Sequence, residues 1–172
     1  MAREIERKFL VDVAAWQEAA VHQAHERKHF AQGYLNDMTH PDAKSSVRIR
    51  IEDDEANINI KSLEIGLSRD EYEYPIDLKD AKTMLSTLTV GPVIEKYRHY
   101  VTFESHTWEV DVFLGDNDGL IVAEVEMASE DEAVALPDWV TKEVTNLPRF
   151  YNISLSQKPY CDWSHDEKLL ET

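Results

Sequence analysis

Glu4, Glu6 and Lys8 occupy every second position of the N-terminal stretch Arg3-Glu4-Ile5-Glu6-Arg7-Lys8-Phe9-Leu10-Val11. Carboxylates gathered on one face can hold a hard cation through oxygen, and cations among them can hold an anion. In a strand alternate side chains share a face, so these three would point one way while Ile5, Phe9 and Val11 point the other. Taken alone, the pattern fits a solvated edge strand equally well. Its recurrence downstream weighs against that.

The same spacing returns in Arg48/Arg50, Asn57/Asn59/Lys61, Arg69/Glu71/Glu73, Lys96/Arg98, Glu109/Asp111 and Glu124/Glu126. The opposite faces carry Val47/Ile49/Ile51, Ile58/Ile60, Tyr72/Tyr74/Ile76, Trp108/Val110/Val112 and Ala123/Val125/Met127. Strand by strand, this means only that one sheet face is wet. For the set, the charges are segregated by strand, so pairing would bring like charges together. Each directly opposed like pair costs roughly a few tenths of a kcal/mol or more, which bound ligands can offset. Short antiparallel strands in this number can close into a barrel with a charged lumen and an apolar exterior covered by helices. A carboxylate wall would then hold Mg²⁺ or Mn²⁺, and an Arg/Lys wall would hold phosphates. Together they describe a site for a metal-bound polyphosphate.

The positioning elements follow from period and punctuation. Asp12 predicts a helix cap for about Val13 to His25. Lys28 to Leu35 is extended, with Lys28, Phe30, Gln32 and Tyr34 on one face, and Asn36 to Ser45 is a loop. Strands are expected over Val47 to Glu52, Ala56 to Ser62, Ser68 to Ile76, Ile94 to Phe103, Thr107 to Phe113 and Leu120 to Met127. Glu52 to Glu55, Glu64 to Leu67 and Gly115 to Gly119 read as connections between them. Asp77 caps a helix with an apolar stripe of Leu78, Ala81, Met84, Leu85 and Leu88, ended by Gly91-Pro92. Ser129 with Glu132 predicts a short capped helix stopped by Pro137. Trp139 to Val144 is a short extended piece and Tyr151 to Gln157 a helical turn. Trp163, Leu169 and Leu170 mark a tail that docks. The expected class is α+β, mainly antiparallel β: a closed eight-stranded barrel with helices outside, in one domain over residues 1–172.

The chain has 34 acidic and 18 basic residues, a net charge of −16. That argues against nucleic acid or an anionic membrane as partner, since either needs a basic footprint. Cys161 is the only cysteine, so no intramolecular disulfide and no cysteine-built zinc site is available. No segment approaches the ~20 apolar residues of a membrane span, and the N-terminus lacks a signal pattern. The expectation is a soluble cytoplasmic protein. His22, His25 and His29 have helical spacing, which an exposed helix of mixed polarity explains better than a metal site.

Glu4-x-Glu6-x-Lys8 resembles the E-x-E-x-K signature of the CYTH superfamily, also called the triphosphate tunnel metalloenzymes. Further matches follow in the family's order: Gln32-Gly33-Tyr34, Arg48-Ile49-Arg50, Lys61, Gly66-Leu67-Ser68-Arg69-x-Glu71-Tyr72-Glu73, Glu95-Lys96-x-Arg98, Glu109-x-Asp111-Val112-Phe113 and Ala123-Glu124-Val125-Glu126. Glu143-Val144-Thr145 and Arg149-Phe150-Tyr151-Asn152 are similar too. The motifs run from residue 3 to 155 and leave 156–172 as a C-terminal tail. Each piece is weak, and the ordered combination is specific.

The resemblance implies an eight-stranded tunnel that binds triphosphates with a divalent metal. By position it implies Glu4, Glu6, Glu124 and Glu126 as metal ligands, with Glu109 and Asp111 as ligands or acceptors beside them. Arg48, Arg50, Lys61, Lys96 and Arg98 would bind phosphate, as would Arg69 and Arg149; an inward ion pair to Glu71 or Glu73 is an equally good role for Arg69. Lys8 and Tyr34 match the pair associated with the attacking water, although Tyr34 could be a wall aromatic. The chain looks most like the small bacterial tripolyphosphatases, acting on a small-molecule triphosphate, and a homodimer is compatible with the reading. The alternatives are an adenylate cyclase, a thiamine triphosphatase and a non-catalytic polyphosphate-binding module. The cyclases carry a His-Phe stretch before the signature, whereas only Met-Ala-Arg precedes Glu4 here.

Overall fold

Period-two alternation becomes strands: β1 (Ala2–Val11), β2 (Glu26–Tyr34), β3 (Ser45–Glu52), β4 (Glu55–Ser62), β5 (Ser68–Pro75), β6 (Ile94–Phe103), β7 (His106–Phe113), β8 (Ile121–Glu126) and β9 (Val140–Glu143). The computed structural model describes residues 2–64 and 67–169. All pairings are antiparallel, in the order β5-β4-β3-β2-β6-β7-β8-β1-β9. β1 makes the closure. Residues Glu6 to Leu10 pair with β8, whereas Ala2 to Ile5 pair with β5, so eight strands form a closed barrel. β9 then joins β1 through Phe9 and Val11, on the part of that edge β5 leaves free.

The barrel has the reversed polarity expected of it. Outward residues build two apolar clusters against helices. One joins Phe9, Trp108, Val110, Ala123 and Val125 to Trp16 of α1 (Val13–Glu18) and to Trp139. The other joins Ile49 and Ala56 to Ala81 of α2 (Leu78–Thr87), with Met84 and Leu85 packed alongside. Asp77 caps α2 by accepting from the Lys79 and Asp80 amides. Gly33 faces α2 so closely that a Cβ there would stand 2.5 Å from the Thr89 methyl, which explains the glycine in a strand interior. On β5, Tyr72 and Tyr74 remain 36% and 55% exposed, so this part of the exterior is uncovered.

Three local expectations need correction. The first helix ends at Glu18; the backbone breaks at Ala19 (φ −137°), and a 3-10 turn over Ala20–Gln23 buries Ala20 before β2 begins. Burying Ala20 in the Trp16 cluster outweighs the helix propensity of the alanines. Consequently His29 lies on β2, not on a helix shared with His22 and His25. Ser129 and Glu132 make a turn instead of a helix, because the Glu132 carboxylate accepts from the Ala128 amide and meets His106 Nε2 at 2.7 Å. Ile65 and Gly66 of the β4–β5 connection, and Leu170 of the tail, lie outside the described residues.

One end of the barrel is closed by apolar packing. Inward-facing Ile94, Phe113 and Val122, with Leu10 alongside, meet Phe150, Leu155 and Trp163 from the chain after β9. This chain contains α3 (Asn152–Leu155) and α4 (His165–Leu169). Trp163 is 6% exposed, so the tail docks there, whereas Leu169 is 52% exposed. Asn117 of the β7–β8 connection holds the same segment by accepting from the Tyr160 amide at 2.8 Å. The lumen is thus a cup, not an open pore.

Candidate active site

The lumen holds a cavity of about 340 Å³. Glu4, Glu6 and Lys8 of β1, Tyr34 of β2, Arg48 and Arg50 of β3, Lys61 of β4, Arg69 of β5, Arg98 of β6, Glu109 of β7 and Glu124 of β8 all line it. Four of the residues singled out in the sequence do not. Lys96 and Asp111 are fully buried beneath it, joined to each other at 2.5 Å. Glu126 is an exposed residue outside the cavity lining. Arg149 lies over the Phe150 and Trp163 rings, at 5.3 and 5.9 Å, on the apolar closure.

Register determines which charges meet. Like charges stand directly opposite at Glu6/Glu126 and Glu109/Glu124, as expected from segregation by strand. At Glu4/Arg69, Lys8/Glu124, Lys61/Glu71 and Arg98/Asp111 opposite charges meet instead, which local spacing could not reveal. Lys61 stands across from Glu71 and bonds Glu4 at 2.7 and 2.8 Å. Arg69 bonds Glu6 at 2.9 Å, and Lys8 bonds Glu124 at 2.9 Å. Arg98 forks onto Asp111 at 2.7 and 2.8 Å, reaches Glu124 at 3.1 Å and also pairs with Glu109.

These pairings shift the titrations in opposite directions. Burial and the neighbouring Glu124 and Glu4 carboxylates push Glu6 up to about 7. Burial, Glu4 and Glu109 raise Glu126 as well. For Glu124 burial would raise the carboxyl, but Lys8 and Arg98 outweigh it and hold it well below the usual range. For Lys8 burial would lower the ammonium, but Glu124 and Glu6 outweigh it and hold it above its ordinary value. Burial lowers Lys96 to about 7, Arg98 and Arg50 adding to it against Asp111. Burial, with Arg48 and Arg98 nearby, also lowers Arg50 to about 10.

The β2–β3 side is different. Arg48 is 5% exposed, and its Nε and Nη2 have no hydrogen-bond partner among the described residues. Gln32 is fully buried; its Oε1 accepts from Arg50 Nε at 3.1 Å and its Nε2 has no partner. Gln32 lies in a recognised motif, yet no role was expected of it. The signal was its place on the inward face between Phe30 and Tyr34. Asn59, of the polar face shared with Lys61, and Tyr151, of a matched motif, had no role assigned by sequence; both line the cavity, and Asn59 bonds Glu71 at 2.5 Å and Glu73 at 3.2 Å.

A divalent cation fits the donor set. Among the described residues no three carboxylate, histidine or cysteine groups converge as they stand, because the carboxylates are turned to Lys and Arg. The donors are nevertheless hard oxygens, and burial, with repulsion from Glu124 and Glu4 added, raises Glu6 toward neutrality. Opposed carboxylates with that electrostatic history suit a hard cation with oxygen ligands.

The comparisons with known proteins agree with this geometry. A family model described as the CYTH domain matches residues 2–158. An inorganic triphosphatase of Acetivibrio thermocellus is 41% identical over 160 residues, covering 93% of this chain and 97% of the relative. One from Nitrosomonas europaea is 39% identical over 156 residues, covering 89% of this chain and 96% of the relative. A crystal structure of an inorganic triphosphatase superposes with a TM-score of 0.61 at 30% identity, covering 91% of this chain and 95% of the other. The chain therefore belongs to the CYTH family.

Proposed function

We propose that the protein is a metal-dependent hydrolase of triphosphates, acting on inorganic tripolyphosphate to give pyrophosphate and phosphate. The observation that carries this is Arg48: a buried guanidinium facing a cavity with two N–H groups unpartnered among the described residues. A buried charge left without its hydrogen bonds is costly, and a phosphate supplies oxygens that match a guanidinium. The relatives' activity and the 340 Å³ cup support the same reading.

Arg48, Arg50, Lys61 and Arg98 would bind phosphate oxygens, with Arg69 adding positive charge and Lys96, buried against Asp111, supporting the site from beneath. Arg149 would act indirectly, through the closure it covers. Lys8 is an ammonium at neutral pH, held so by Glu124 and Glu6, so it would orient the attacking water, with Tyr34, and would not be the base. Water adds to the terminal phosphorus as the bridging P–O bond breaks; pyrophosphate leaves with the electron pair, and the water's proton passes to the phosphate products. The fixed cations need little reorganisation as charge develops. Glu4, Glu6, Glu109 and Glu124, which line the cavity, would hold Mg²⁺ or Mn²⁺, with Glu126 opposite Glu6 in register beside them and Asp111 acting from beneath through Arg98; the metal would supply charge neutralisation on the phosphates. The whole chain 1–172 would work as one unit in the cytoplasm.

The test is phosphate release from tripolyphosphate, ATP and thiamine triphosphate with either metal. Release from tripolyphosphate above the others is expected. Cyclic AMP and pyrophosphate from ATP without phosphate release would make it a cyclase. Binding without turnover of any substrate would make it a binding module.

A further inference from the structure

We propose that Tyr151 is a positioning residue that holds Lys8 and Arg69 through the face of its ring. The inference rests on reading the cup as a triphosphatase site. Tyr151 is 8% exposed and lines the cavity. Lys8 Nζ lies 5.0 Å from its ring centroid and Arg69 Cζ lies 5.4 Å from it. One aromatic ring thus lies within cation–π distance of two cations from different strands.

The ring is tied to the backbone of the residue it positions. Its hydroxyl donates to the Thr145 carbonyl at 2.5 Å. Thr145 Oγ1 accepts from the Lys8 amide at 3.0 Å, and the Val144 amide donates to the Lys8 carbonyl at 2.8 Å. The segment that orients the ring is therefore bonded to both polar groups of the Lys8 main chain, and ring and ammonium share one frame.

The need for such a support comes from the carboxylates. Lys8 now pairs with Glu124, and Arg69 with Glu6 and Glu4. These are the oxygens a divalent cation would claim, leaving both side chains without their partners. A π face attracts cations without offering oxygen to a metal, so Tyr151 keeps Lys8 and Arg69 in place after the exchange.

The test compares Tyr151→Leu and Tyr151→Phe in the full chain. With tripolyphosphate and Mg²⁺, Tyr151→Leu lowers kcat about tenfold or more with KM within about threefold of the parent, and Tyr151→Phe restores kcat to within about threefold. Equal loss in both variants, parental kcat in Tyr151→Leu, or a loss confined to KM overturns the proposal. Turnover-free evidence comes from the Lys8 ε-methylene protons by NMR without metal. An upfield ring-current shift present in the parent and in Tyr151→Phe, and gone in Tyr151→Leu, is expected. Its absence from the parent overturns the proposal even if the leucine variant fails to fold. A parent that hydrolyses nothing overturns the triphosphatase reading, whereas the NMR comparison still decides the positioning of Lys8.

Discussion

The two sides of the cup solve the problem of burying charge in opposite ways. Along β6, β7, β8, β1 and β5 the cations lean on carboxylates: Arg98 on Asp111, Glu109 and Glu124, Lys8 on Glu124, and Arg69 on Glu6. Across the cavity, on β2 and β3, Arg48 and Gln32 keep buried donors unpartnered among the described residues. The first side is complete without a ligand. On the second, Arg48 faces the cavity and is complete only with a ligand, because a desolvated donor without an acceptor costs about 1–3 kcal/mol and more when charged, while Gln32 lies fully buried behind the lining. The contrast teaches that a charge-lined cavity contains both structural and ligand-seeking groups, and that hydrogen-bond satisfaction separates them better than charge does.

That separation can be broken by substitution. Arg98→Ala takes the shared guanidinium from Asp111 and Glu124 and leaves each with one lysine, Lys96 and Lys8, so chemical denaturation should show a loss of about 3 kcal/mol, the lower end for breaking a buried ion pair. A loss below about 1 kcal/mol would mean that the ion pairs of Arg98 do not hold the fold. Gln32→Leu removes the acceptor of Arg50 Nε, so a cavity-lining guanidinium loses its anchor; it should weaken tripolyphosphate binding about tenfold by calorimetry and lower unfolding stability by about 1–3 kcal/mol.

The paired side has one weak member, Glu6. Its folded pKa of about 7 lies above the ordinary carboxyl value, so the native state keeps a proton that the unfolded chain has released. Its contribution to stability therefore declines as pH rises from about 4.5 toward 7. Without metal, Glu6→Gln should be more stable than the parent at pH 8, by on the order of 2 kcal/mol, and equal to it near pH 5. Thermal melts across that range would check both sign and window. The smallest effect should come from Arg7→Ala: the Arg7–Glu143 pair, at 2.8 Å, is 26% and 40% exposed, and losing it should cost less than about 1 kcal/mol in a double-mutant cycle with Glu143→Ala.

The barrel was legible in the sequence because period two survives a reversal of polarity: Glu4, Glu6 and Lys8 share a face whether that face meets solvent or lumen. The helices were legible where a cap agreed with packing, as at Asp77, and not where tertiary burial intervened, as at Ala19 and at Glu132, whose carboxylate His106 draws away. The members of the cavity were largely visible from the same alternation. Their partnerships were not. Lys61 sits across from Glu71, and Lys96 sinks beneath the cavity onto Asp111, because these outcomes depend on register and barrel stagger between strands distant in sequence. Gln32 and Tyr151 carry no charge, so a reading led by charge passed over them.

The most direct test of the central claim, that Arg48 is held for a phosphate and not for the fold, pairs two measurements on Arg48→Met. Denaturant unfolding of the metal-free protein should give a stability equal to or above that of the parent, since an unpartnered buried charge is exchanged for an apolar chain of similar length. Calorimetric titration with tripolyphosphate and Mg²⁺ should give binding weaker by about tenfold or more, the loss of a charge-assisted contact. Parental affinity together with a stability loss of several kcal/mol would contradict the account, since Arg48 would then serve the fold and not the phosphate.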